Sequence, residues 1–447
     1  MNPSGEIDPD LGHKVPKVIK NVKYSTQKEI ESVSQERVTT STVLPTNDRN
    51  LRFRIEPSSK FVTNLSLLSV RLHVSLRDRN GLPQESLRRK TFVPGPLPLS
   101  LFQDVKISAN GTLITQAEGL YPFIGKYLAL TRLSRQTKNL LRETAMFYDD
   151  IKPINPVKAS TGKPKVTLTS SNFKDLDNRL ELFSVDQKTP IELSFYLLAD
   201  ISHDKSPALI PPGVAIDIEL ALQSPRRAIV KLEPEDEIDP VWHISLAEIL
   251  VTRIVPAHSI PKTIKQDYQK VRAVPLIIQK STTVYRNSIQ FSESPIPSRL
   301  FLTFLTNDAF DGRHSDNIFS SEHWKVSSIV FNVAGRRYPA QNINFDWGKD
   351  HVAELFLRSS EAMRFSLQST GESFGTMKDY KNGDFKYAVD LSADYSSGSS
   401  WNVKQERGYL GIEITFATPL PERIVAVVIS EVASVFSINA NGEAQIE

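Results

Sequence analysis

A chain of 447 residues with a formal net charge of +3, 40% hydrophobic and 23% charged, has the profile of a globular protein of two or three domains. It contains no cysteine, which excludes disulfides, thiolate nucleophiles and cysteine-ligated zinc. No apolar run approaches the roughly 18 residues of a membrane helix, and the opening "MNPSGEIDPDLGHK" has no apolar signal-peptide core, so neither a span nor secretion by a signal peptide is expected.

The first 45 residues alternate poorly and carry Lys14, Lys17, Lys20, Lys23 and Lys28 in a stretch without one acid. They read as a basic N-terminal arm outside the first folded unit. From residue 46 strand alternation takes over. "LSVRLHVSL" places Leu68, Val70, Leu72, Val74 and Leu76 on one face, and "LRFRI", "IELSFYLL" and "VAIDIELAL" behave alike. Between them "DVKISANGTLI" reads as a hairpin with Asn110 and Gly111 at the two positions of a primed turn, pairing Ala109 with Thr112 and Ile107 with Ile114. Helical spacing follows directly, in "LYPFIGKYLALTRLSRQTKNLLRETAMFY".

An acidic, proline-bounded stretch, "EPEDEIDP" at 233–240, reads as a linker and divides a first unit (46–232) from a second (241–447). The second repeats the order of the first. "HISLAEILVTRIV" opens it, "SIPKTIKQDYQK" predicts a short helix, and "RLFLTFLT" is a strand. A second hairpin, "SIVFNVAGRRYP", turns at Ala334 and Gly335 and pairs Val333 with Arg336 and Phe331 with Tyr338. Helical spacing returns in "KDHVAELFLRSSEAM", and "FKYAVDL", "YLGIEITFA" and "RIVAVVISEV" close the chain as strands. A period of about 200 residues is too long for a solenoid and fits a duplicated domain. The expected fold is all-β: two tandem jelly-roll β-sandwiches with short helical insertions.

Catalytic chemistry finds little support. "GESFG" matches the nucleophile-elbow pattern at Ser373 but lacks the flanking strand and helix that the elbow needs. His314 and His323 have no zinc-ligand spacing, and "NDAFDG" (307–312) puts Ala309 where a calcium ligand belongs. Glu413 and Asp217, outward acids of different halves, form no glycosidase pair. The sequons at Asn64 and Asn110 matter only in a secreted protein. No enzyme activity, cofactor or metal is expected.

"SRLFLTFLTNDAFDGRHSDNIFSSEHWKVSSIVFNVAGRRYPAQ" resembles the double jelly-roll major capsid proteins of Polinton/Maverick elements and adintoviruses. "LPLSLFQDVKISANGTLITQAEGLYPFIGKYLALT", "WHISLAEILVTRIVPAHSIPKTIKQDYQKVRAVPLIIQKST" and "FKYAVDLSADYSSGSSWNVKQERGYLGIEITFATPLPERIVAVVIS" are similar to further blocks of that family, in the same order. The resemblance runs from about Leu51 to about Asn439 and weakens over 151–186. It implies a structural role: a homotrimer whose six barrels tile an icosahedral shell around double-stranded DNA, in a virion assembled inside the host cell. Its implied partners are neighbouring capsomers, penton and minor capsid proteins; the five lysines of the basic arm, which the resemblance does not cover, add an expected weak, non-specific contact to the genome. A carbohydrate-binding or carbohydrate-active protein on two sandwiches is the alternative from another class, and a nucleic-acid-binding protein resting on the arm is a third.

Overall fold

The computed structural model describes residues 30–44, 50–77, 91–150, 156–158, 164–166, 179, 190–201, 208–231, 241–256, 264–291, 296–312, 317–333, 335–340, 343, 345–349, 351–363, 375–391, 408–439 and 442–446. The first roll contains β1 (Ile30–Thr39), β2 (Asn50–Ile55), β3 (Val62–Arg77), β4 (Thr91–Phe92), β5 (Phe102–Ala109), β6 (Thr112–Gln116), β7 (Pro156–Lys158) and β8 (Pro164–Val166). It continues with β9 (Ile191–Tyr196), β10 (Leu209–Ile210), β11 (Ile216–Leu222), β12 (Val230–Lys231) and β13 (Val241–Pro256). The second contains β14 (Ile264–Ile278), β15 (Val284–Phe291), β16 (Arg299–Thr306), β17 (Val326–Val333), β18 (Arg336–Tyr338), β19 (Tyr387–Asp390), β20 (Gly408–Phe416), β21 (Ile424–Ile438) and β22 (Ala444–Ile446).

The two rolls are wound alike. One sheet runs β1-β13-β3, with β9 and β10 both on the free edge of β3, and its counterpart runs β14-β21-β16-β19. The facing sheets run β2-β11-β5-β6 and β15-β20-β17-β18. The opening strand of each roll therefore lies beside the long closing strand, β1 on β13 and β14 on β21 (whose end also takes the short β22), and the next strand pairs on the other sheet, β2 on β11 and β15 on β20, which is the jelly-roll winding. Alternation locates the cores: Leu51, Phe53 and Ile55 of β2, Val70, Leu72 and Val74 of β3, and Leu410, Ile412 and Ile414 of β20 are all essentially inaccessible. Cutting any of these leucines or isoleucines to alanine costs about 2–5 kcal/mol.

Three expectations change. Val241–Pro256, assigned to the second unit, is the closing strand of the first: it pairs with β3 on one edge and β1 on the other. Alternation reads the same in an opening and a closing strand, and the acidic stretch at 233–240 lies outside the described residues. The arm assigned to 1–45 in turn gives up Ile30–Thr39, which is the roll's opening strand. This strand is almost wholly exposed, so it carries no buried face to alternate. Finally, the predicted helix at "SIPKTIKQDYQK" is strand from Ile264 onward, held in unbroken register with β21 from Ile264↔Ile438 to Ile278↔Ile424. Fifteen residues of pairing override a weak local helical preference.

Helices fall where their spacing puts them. Tyr121–Arg132 and Arg135–Ala145 share the first predicted stretch. Ser134 separates them, its hydroxyl accepting from the backbone N–H of Thr137 as an N-cap. Ala353–Ala362 buries Leu355 and Ser359 in the second roll.

Candidate assembly surfaces

The first hairpin turns as expected at Asn110 (φ 46°) and Gly111 (φ 83°), both left-handed, with Ala109 opposite Thr112. One step further the register slips: a bulge between Ile107 and Ser108 sets Ile107 against Thr115 instead of Ile114. Asn110 does more than turn the chain. Its Oδ1 accepts from the Ala215 N–H at 2.9 Å, and its Nδ2 donates to the Gly442 carbonyl at 2.7 Å. The second tie reaches across 332 residues, beyond any local pattern. In the second hairpin Phe331 faces Tyr338 and Val333 faces Arg336, as expected, with Gly335 at φ 79°. Ala334 lies outside the described residues.

The rolls meet on a packed seam. Helix Tyr121–Arg132 follows the first hairpin and lies against β14 and β21, with Tyr127 reaching Phe301 and Arg299 of β16. Tyr127 meets Phe301 at 5.4 Å between ring centroids, and Phe123 stacks on Phe310 at 6.0 Å. Lys126 donates to the Phe319 carbonyl at 2.7 Å, and burial pushes its ammonium pKa down. Beneath the helix Arg299 and Glu431 form an ion pair at 3.3 Å, each 6% exposed, with Arg299 also donating to the Tyr127 hydroxyl at 3.4 Å. Burial first, and the Glu431 carboxylate second, raise the Tyr127 phenol far above its usual range, so it stays a neutral hydroxyl. Two glycines allow the approach. A Cβ at Gly95 (φ +69°) would lie 2.2 Å from the Phe319 ring, and one at Gly312 (φ +83°) 2.3 Å from the Arg227 side chain.

No group of three or more potential metal ligands occurs among the described residues. His323 stacks on Trp347 at 3.7 Å and accepts from the Lys325 N–H through Nδ1. Burial and then the Lys325 charge bring its pKa down to about 4, so it is a neutral packing group. The "NDAFDG" stretch is a helical turn, Asn307–Asp311, with Ala309 buried. Glu413 pairs with Arg286 at 2.8 Å and Asp217 with Arg54 at 3.3 Å, two outward ion pairs on different rolls. Lys14, Lys17, Lys20, Lys23, Lys28, His314 and Ser373 lie outside the described residues.

What the described surface offers is edges and a face. β1 presents one unpaired edge and exposes Val33. The outer face of the β13-β3-β9 sheet carries Arg71, which pairs with Glu192 at 2.8 Å and with Glu248 at 3.3 Å. Helices Arg135–Ala145 and Ala353–Ala362, which pack beside β9 and β19, expose Leu140 and Leu357. Such features suit contact with other chains better than small-molecule chemistry.

No protein-family model matches the chain, and no curated protein matches it. Solved structures do. A chain of the Sputnik virophage, solved by cryo-EM, superposes with a TM-score of 0.61 at 10% identity, covering 100% of this chain and 93% of that one. The mavirus major capsid protein gives 0.54 at 13% identity, covering 100% and 96%. The Faustovirus major capsid protein gives 0.54 at 9% identity, covering 92% and 91%. At these identities the likeness is one of fold, and with two rolls of equivalent core winding it shows that the chain is a double jelly roll.

Proposed function

We propose that the protein is a major capsid protein, acting by self-assembly without a catalytic step. The observation that carries this reading is the duplicated roll spanning the whole described chain, superposable end to end on viral capsid proteins. Three chains of two rolls each give a closed trimer with six similar corners, the shape that tiles a hexagonal shell from one polypeptide. Full-length likeness to capsid proteins favours this reading over a carbohydrate-binding pair of sandwiches. The division between the rolls falls between Pro256 and Ile264.

Finer points of the same proposal come from the sequence. The resemblance to Polinton/Maverick and adintovirus proteins points to a double-stranded DNA element, with assembly inside the host cell and penton and minor capsid proteins as partners. The lysines of residues 14–28 would sit at the inner base of the capsomer, tying neighbours together and touching phosphates weakly through counterion release.

Sedimentation and electron microscopy of the purified protein test the reading. Trimers with a pseudo-hexagonal outline, forming shells at high concentration, are the expected result, whereas a monomer at micromolar concentration in moderate salt overturns it. Deleting residues 1–28 leaves trimers intact and impairs shell closure, because β1 and both cores remain. Shells that close as efficiently without those residues show that they form no tie.

A further inference from the structure

Among the described residues Arg179 is the most deeply buried charged side chain, 1% exposed. Its guanidinium carbon stands 4.4 Å from the centroid of the Phe92 ring and 4.2 Å from that of Tyr148. Its Nη2 donates to the Asp150 carboxylate at 2.6 Å and to the Val93 carbonyl. A cation so fully stripped of water is tolerated only where its surroundings replace the water. Here a carboxylate, a carbonyl and two aromatic faces do so, from two separate stretches of the first roll (roll 1), 92–93 and 148–150.

The socket needs the guanidinium as much. Asp150 is 6% exposed and, among the described residues, pairs with no other cation. Its Oδ2 takes one further hydrogen bond, from the Gly95 N–H at 2.9 Å. An ammonium would serve poorly there, being a compact point charge with no plane to lay over two rings, whereas a guanidinium turns its face to the aromatics and its N–H edge to the oxygens. The same aspartate also holds the second roll (roll 2). Its backbone carbonyl accepts from Asn317 Nδ2 at 3.1 Å, and Asn317 Oδ1 accepts from the Phe319 N–H at 2.9 Å. Phe319 in turn sets its ring against Gly95 and its carbonyl accepts from Lys126.

We propose that Phe92, Val93, Tyr148 and Asp150 form a guanidinium-binding site, that Arg179 fills it as a tethered ligand, and that its filling locks the inter-roll seam at Asn317–Phe319. Filling fixes the Asp150 backbone and the Gly95 turn together, and these are the two places where residues 317–319 dock. Emptying leaves a dehydrated carboxylate that turns toward water and carries its backbone with it. The lock lies within one subunit and goes beyond the capsid reading, holding with or without a shell.

Arg179→Ala in the full chain empties the site. Its melting temperature should fall by about 3–10 °C, and hydrogen exchange over 317–319, in the other roll, should quicken about tenfold or more. Ethylguanidinium, the group the substitution removes, should reverse both at non-denaturing concentration, while ethylammonium at the same ionic strength should reverse neither. Arg179→Lys should behave as Arg179→Ala. Ethylguanidinium that leaves Arg179→Ala unchanged, or a lysine variant as stable as the parent, overturns the guanidinium site. Exchange over 317–319 that keeps the parent rate while the melting temperature falls overturns the lock. A second measurement needs no variant: phenylglyoxal should modify the exposed Arg336 and Arg337 of the native protein and spare Arg179 until the chain is denatured. Modification of Arg179 at their rate overturns the proposal.

Discussion

The closing strands of the two rolls, β13 and β21, hold equivalent positions and have opposite surroundings. β21 is buried on both faces over its first nine residues, whereas β13 alternates, with Leu246, Glu248, Leu250 and Thr252 half-exposed between buried neighbours. Their sequences show it: "IVAVVI" is a continuous apolar run, while "SLAEILVT" mixes polar residues into one face. One fold, copied within a chain, has one copy's outer sheet converted into interior. The difference between copies reports where the other copy sits.

Breaking that contrast should follow burial. Arg299→Ala leaves Glu431 and Asp390 facing each other without their cation, and is expected to cost about 3–5 kcal/mol in chemical denaturation. If the isolated subunit loses as much with Arg71→Ala, the two faces do not differ as described. Gly95→Ala attacks the seam from the other side. It forces a Cβ into the Phe319 ring at a left-handed residue, which together cost about 2–5 kcal/mol. Gly111→Val and Gly335→Val test the hairpins, where φ is +83° and +79° with open space around. Each should cost on the order of 1–3 kcal/mol by backbone strain alone, and matching losses would sharpen the likeness of the rolls.

Acid should distinguish the rolls more gently. His323 of roll 2 has its pKa lowered to about 4, so the unfolded chain binds its proton first as pH falls. Stability contributed by the neutral, stacked ring is present above the ordinary histidine pKa and is lost between about 6.5 and 4. His323→Phe keeps a ring on Trp347 and should flatten that part of the stability curve. The smallest effect is Arg71→Ala in the isolated subunit, a loss no larger than that of an ordinary surface ion pair, because Arg71 and its closer partner Glu192 are both well exposed to solvent.

Much of this was legible from residue order. Strands β2, β3, β11 and β20 follow from alternation, and the paired hairpins from their turn residues and apolar flanks. Three things were not legible, each for a physical reason. β1 has no buried face, so no periodicity marks it. The bulge beside Ile107 changes register by backbone geometry that side-chain pattern does not record. The role of Asn110 as a tie to Gly442 depends on residues far apart in sequence.

The pairing of β1 with β13 has a consequence for how the protein is made. Thr39 meets Glu248, so more than two hundred residues must be translated before the opening strand has its neighbour. At about 5–20 residues per second, that is on the order of ten to forty seconds during which β1 is an unclaimed edge on a nascent chain. Its sequence, "IESVSQERVT", suits the wait: Glu31, Glu36 and Arg37 make it a poor template for other strands emerging from the same polysome. The lack of an apolar face that hides β1 from a sequence reading is thus also what lets neighbouring ribosomes work side by side without their products sticking together.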